Sequence, residues 1–144
     1  MIIVTTIVVF FVSTGVPLYN NFFEKNQINE AAEQMASILK MAREMSIVRE
    51  NNASYGIYFN KVSNPNKYVL FKGTSYMTRE TSFDRNYLFN NNLVFDSVPL
   101  SAETIFSRGT GQPNATSTII IKNNNGDRKI VVGDHGQIYV DYGN

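Results

Sequence analysis

Residues 1–18 of this chain, MIIVTTIVVFFVSTGVPL, carry no charged side chain, and the helical pattern that starts there runs on to about Asn51. A rod this uniformly apolar needs lipid or other apolar helices around it. Little of the 144-residue chain is left over to wrap it, so its two ends are expected to have different surroundings. At 1.5 Å per residue the stretch reaches roughly 27 Å, close to the roughly 30 Å of a hydrocarbon core. Its hydroxyls, Thr5, Thr6, Ser13 and Thr14, can bond back to carbonyls one turn earlier and do not oppose insertion.

A cleaved secretory signal would place basic residues before the apolar run and an A-x-A-like site after it. Here Met1-Ile2-Ile3 leads straight into the run, and Pro17 is followed by Tyr19, Asn20, Asn21, Phe22 and Phe23, so a retained helix is expected. Pro17 removes one backbone hydrogen bond and crowds the carbonyl of Ser13, which predicts a kink and not an end; Gly15 loosens the same turn. Tyr19, Phe22 and Phe23 then fall at interfacial height, with Glu24 and Lys25 on the water side. Residues 1–25 are thus read as a membrane and assembly helix. Its contact positions are Ile2, Ile3, Val4, Ile7, Val8, Phe10 and Phe11, with Gly15 and Pro17 giving flexibility.

Beyond residue 26 the pattern becomes amphipathic. Ile28, Ala31, Ala32, Met35, Ile38, Leu39, Ala42 and Met45 return to one side of a 3.6-residue turn, whereas Asn29, Glu30, Glu33, Gln34, Lys40, Arg43 and Glu44 occupy the other. Residues 26–52 are therefore expected to lie as a helix on a folded head, with Ile28, Ala32, Met35, Leu39, Ala42 and Met45 forming the seam.

After Asn51-Asn52 the period changes to two. Strands are predicted at Tyr55–Phe59, Tyr68–Phe71, Tyr87–Phe89, Leu93–Phe95, Thr104–Phe106, Ser117–Lys122, Arg128–Val132 and Gln137–Val140. Turn residues separate them: Asn64-Pro65-Asn66, Lys72-Gly73, Gly109 through Pro113, Asn125-Gly126 and Gly133 through Gly136. Asn125-Gly126, between β-branched runs, is the sharpest hairpin signal. The fold class expected is α+β: a long N-terminal helix, apolar in its first half and amphipathic in its second, packed on a small antiparallel β head of residues 53–144.

Chemistry-bearing residues are sparse. The formal charge of +1 offers no global attraction to nucleic acid or anionic lipid, and there are no cysteines to serve as nucleophiles, disulfides or metal ligands. The single histidine, His135, sits in Gly133-Asp134-His135-Gly136 and reads as a turn residue. Asn123, Asn125 and Asp127 alternate as calcium ligands do, but the glycine and distal glutamate of such a loop are out of register. No catalytic residues, metal or cofactor are expected. Lys122, Arg128 and Lys129 around the predicted hairpin are the one candidate nucleic-acid patch.

This layout resembles that of type IV pilin-like proteins, most closely minor pseudopilins of the GspH/FimT kind. Met1 through Pro17 resembles the apolar helix that follows the glutamate of the family's G-F-T-L-I-E processing motif. Leu39-Lys40-Met41-Ala42-Arg43-Glu44, continuing through Arg49 to Tyr58-Phe59, is similar to the family's helix end and first strand. Ile105-Phe106, Gly109, Gly111, Ile119 to Lys122, Asn125-Gly126, Ile130 to Val132 and Gly136-Gln137-Ile138 resemble its C-terminal part, while the likeness is loose between Tyr76 and Asn92. By the position of Pro17 the motif's glutamate would immediately precede Met1, so a reading frame that starts earlier, with a leader for a prepilin peptidase and an N-methylated product, is expected.

The resemblance implies a structural subunit with no enzymatic activity, held in the bacterial cytoplasmic membrane as a single-pass protein with its head outside. Such a subunit enters a type II secretion or type IV pilus-like filament by packing its apolar half-helix against those of other pilin-like subunits. Two alternatives stay open at this level: a DNA-binding minor pilin for natural transformation, and a membrane-tethered extracellular domain that binds a ligand.

Overall fold

The computed structural model describes the backbone of residues 2–143 and the side chains of residues 22–143. One helix, α1, runs from Ile2 to Ile47, 46 residues, and continues through Gly15 and Pro17. α1 is thus not interrupted at Pro17, where a kink is expected; the side chains of Ile2, Ile3, Val4, Ile7, Val8, Phe10, Phe11 and Pro17, and the surroundings of Gly15, lie outside the described residues.

The helix stops short of Asn51. Arg49, Asn51 and Asn52 take left-handed backbone angles, with φ of 56°, 50° and 55°, and asparagine tolerates that conformation better than most residues. Glu50–Asn52 form a 3-10 turn instead of a further α-turn. Ser46 fastens this end to the head. Its buried hydroxyl donates to the Ala42 carbonyl at 3.0 Å and accepts the Tyr55 amide at 2.9 Å, while its own carbonyl accepts the Gly109 amide at 2.7 Å.

Eight strands follow: β1 Tyr55–Asn60, β2 Lys67–Lys72, β3 Arg85–Leu88, β4 Val94–Ser97, β5 Glu103–Phe106, β6 Ser117–Asn123, β7 Gly126–Val132 and β8 Ile138–Asp141. Each overlaps a run predicted from period-two patterning, β3 beginning two residues earlier and β4 ending two residues later than expected. They form two antiparallel four-stranded sheets, ordered β3-β2-β1-β5 and β4-β6-β7-β8. The fold is α+β, a long N-terminal helix on an antiparallel β head. The β6–β7 hairpin turns one residue earlier than Asn125-Gly126 suggested. Asn123 pairs with Gly126, leaving Asn124 and Asn125 as the loop, and the Asn123 side chain caps the Asn125 amide at 2.9 Å.

The C-terminal part of α1 packs on β1 and β5 of the first sheet and on β6, β7 and β8 of the second. Both sheets therefore share one core beneath the helix. Aromatic rings complete it at the far side: Phe59 meets Phe95 edge-on at 5.7 Å, Phe95 meets Phe89 at 4.8 Å, and Phe89 meets Tyr68 at 5.6 Å. These contacts join β1 and β2 to β4 and exceed simple area burial by about 0.5–1.5 kcal/mol per pair. Asn66, almost fully buried, ties the same two layers through its side-chain oxygen, which accepts the Phe95 amide at 2.8 Å.

Val69 and Phe71 point away from that core, yet both are buried. The cover comes from the excursion after β2, residues 73–84. Tyr76 stacks on Tyr58 at 3.8 Å and meets Phe71 edge-on, and Arg79 lies over the Tyr76 ring at 3.7 Å while pairing with Asp84 at 2.8 Å.

Candidate functional site

The functional question centres on α1, because one continuous element belongs to the head at its C-terminal end and to the apolar stretch at the other. Ile28, Ala32, Met35, Leu39 and Ala42 are all buried at 0–1% exposure, and Met45 is partly buried against the same cluster. Ala36 and Ser46 join them. Each large apolar side chain in this seam contributes about 1.5–3 kcal/mol through burial. N-terminal to Ile28 the exposure rises, and Phe22 and Phe23 are 66% and 58% exposed.

Arg43 departs from the polar face assigned to it. It lies half-buried where two glycine loops meet the helix, its side chain packed so closely against Gly111 and Gly136 that neither position has room for a Cβ. At Gly136, with φ +80°, a Cβ would stand 2.5 Å from Arg43 Nε and 2.6 Å from the Gly111 carbonyl oxygen. At Gly111, with φ +64°, it would stand 2.6 Å from Ile47 Cγ1. The glycines between β5 and β6 and between β7 and β8 are thus the seat for the end of α1.

A polar row holds the helix along its other flank. Asn123 Nδ2 donates to the Glu24 carbonyl at 2.8 Å, Asn125 Nδ2 donates to the Glu24 carboxylate, and Arg128 Nε donates to Asn29 Oδ1 at 2.7 Å. One turn on, the Tyr142 hydroxyl donates to Glu33, which pushes the phenol's pKa above its ordinary value. Asn29 and Glu33, four residues apart, share one helix face that receives Arg128 of β7 and the C-terminal tail, while Glu24, about 140° from Asn29 around the helix, meets the tip of the β6–β7 hairpin. Sequence patterning shows which helix face is polar, but not that this part of it is occupied.

Lys122, Arg128 and Lys129 do not form one surface. Arg128 shares the helix-facing side of β7 with buried Ile130 and is engaged by Asn29 and by the Tyr142 ring, 5.7 Å away. Lys122 and Lys129 lie on the opposite side of the sheet, where Lys122 pairs with Asp96. That hydrogen bond holds the Asp96 carboxyl below its usual pKa, as the bond from Lys72 does for Glu80. Burial pushes the Tyr68 hydroxyl well up. These shifted groups are scattered over the head and do not line a common cleft. His135 is exposed in the β7–β8 turn.

Beside the helix, Phe23, Asn26, Gln27, Glu30 and Asn90 line an open groove of 270 Å³. Among residues 22–143, whose side chains are described, no helix is long and apolar enough to cross a membrane, and no group of three or more His, Cys, Asp or Glu could hold a metal ion.

Solved structures share this arrangement of one long helix on two antiparallel sheets. The minor pseudopilin EpsH from the type 2 secretion system of Vibrio cholerae superposes with a TM-score of 0.58 at 9% identity, over 79% of this chain and 95% of that one. The type IV minor pilin FimU of Pseudomonas aeruginosa gives 0.56 at 19% identity, over 78% and 91%. This chain has the type IV minor-pilin fold. A second EpsH structure gives 0.55 at 8% identity, covering 81% of this chain and 94% of that one. No family profile matches the sequence, and no curated protein does. The minor-pilin fold is therefore recognised from overall shape and not from sequence.

Proposed function

We propose that this chain is a structural subunit of a type IV pilin-like filament, in the minor pilin or pseudopilin position, and has no catalytic role. In this reading residues 1–25 hold it in the bacterial cytoplasmic membrane with the head outside, and assembly exchanges lipid contacts for contacts with neighbouring apolar helices. Between lipid and leucine there is little hydrophobic difference, so packing and not burial drives that exchange. If translation starts upstream of Met1, a prepilin peptidase is a further partner. The machine served is of the type II secretion or type IV pilus class.

The observation that carries the proposal is the unbroken α1. Among the residues whose side chains are described its burial in the head begins at Ile28, and the same helix extends through Ile2, over a sequence stretch without charge. A chain that needed only a folded head would have no use for that extension. The minor-pilin fold supports the same reading.

Ile7→Asp and Phe10→Asp test it. A charge at the centre of a membrane helix costs roughly 2.5–3.5 kcal/mol on insertion scales. Both variants are expected to keep a normally melting head while losing membrane retention and filament incorporation. Wild-type fractionation and assembly of both would overturn the proposal.

A further inference from the structure

We infer that the tip of the β6–β7 hairpin is a latch on α1 at Glu24, and that the helix pivots within Glu24–Ile28 when the latch opens. The inference stands on the geometry of the head and does not depend on the filament reading. Ile28 is the first buried residue of the described helix. Ahead of it, among the described residues, the helix turn 22–27 makes two hydrogen bonds to the head, from Asn123 and Asn125, both to Glu24. C-terminal to that point the helix is fixed by the apolar seam and by the contacts of Asn29 with Arg128 and Glu33 with Tyr142. The boundary between held and unheld helix thus falls inside one turn.

That turn is also the place where the helical ladder is shared. In an α-helix the Glu24 carbonyl accepts the Ile28 amide, and here it accepts Asn123 Nδ2 as well. The hairpin tip is exposed at Asn124 and Asn125, so water competes directly for the latch and opening it uncovers no core. The lever is long. With roughly 34 Å of helix beyond Glu24, a 20° change at the pivot moves its far end by about 12 Å. A head joined this way can settle at more than one angle to its own helix.

The test uses the full chain in detergent micelles, with the Asn123→Ala/Asn125→Ala double variant. The protein has no cysteine, so spin labels placed through Thr6→Cys and Thr118→Cys report the helix-to-head distance without background. With the latch removed, that distance distribution is expected to broaden or shift by several ångströms. Amide exchange over residues 24–28 should rise about tenfold, while exchange at Leu39–Ala42 stays as in wild type. Glu24→Ala, which removes the carboxylate but keeps the carbonyl, should give a smaller change in the same direction. Unchanged distances and exchange would overturn the latch. So would faster exchange throughout the head, which would make the asparagines ordinary fold contacts.

Discussion

Substituting Gly136 by alanine probes the seat of the helix directly. The residue has φ +80°, and a Cβ there would lie 2.5 Å from Arg43 Nε and 2.6 Å from the Gly111 carbonyl oxygen. Two costs follow: about 1–2 kcal/mol for placing a non-glycine residue in the left-handed region, and about 1–3 kcal/mol for forcing atoms into a filled space. Gly143 separates them, because it also has positive φ, +62°, but a Cβ there meets nothing within 4 Å. Gly136→Ala is therefore expected to lose about 2–5 kcal/mol and Gly143→Ala at most about 1–2, less still because it lies at a chain end. For a domain of this size the former lowers the melting temperature by about 10 °C. Thermal and urea unfolding followed by circular dichroism on the detergent-solubilised chain give both numbers. Adding Arg43→Ala should recover part of the Gly136→Ala loss and leave the part due to the Gly111 carbonyl. Equal destabilisation by the two glycine variants would refute the close approach of this loop to α1.

Ser46→Ala removes a buried acceptor of the Tyr55 amide and is expected to cost about 1–3 kcal/mol, read as a lower urea midpoint with an unchanged slope. Leu39→Ala, at a position with no exposure, should cost about 2–5 kcal/mol in the same assay. The Glu80 and Asp96 carboxyls are held below their ordinary values of 4.5 and 3.8, so their pairs contribute fully above those values and lose that contribution as pH falls through the lower folded ones. In melting curves taken across that acid range, Glu80→Gln and Asp96→Asn should therefore show a shallower loss of stability than wild type.

Local pattern made the elements legible because each signal for them lies within a few residues. Alternation placed all eight strands, and the recurrence of Ile28, Met35 and Leu39 gave the buried face of α1. The division into two sheets was not legible, since β5 joins β1 and β4 joins β6 across long sequence separations. A turn at Asn125-Gly126 would set Lys122 opposite Lys129; the turn at Asn124 and Asn125 sets Asp127 there instead, next to the pairing with Asp96. Arg128 belonged to the helix-facing side by alternation from Ile130, a signal present in the sequence but outweighed by its neighbouring lysine. The four apolar residues Tyr68–Phe71 likewise signalled burial on both faces of β2. What covers the outer face, the Tyr76 and Arg79 stack, depends on contacts no periodicity encodes.

Because α1 passes from the seam to the apolar stretch as one helix, it acts as a protractor as well as a spacer. Each residue added or removed between Ile28 and Pro17 turns the head by about 100° around the rod and shifts it by about 1.5 Å. The azimuth at which the head meets its surroundings is thereby written into a residue count. A single inserted alanine would swing every loop of the head to a new side, whereas four inserted residues would bring it nearly back to its original heading, one helical pitch further along.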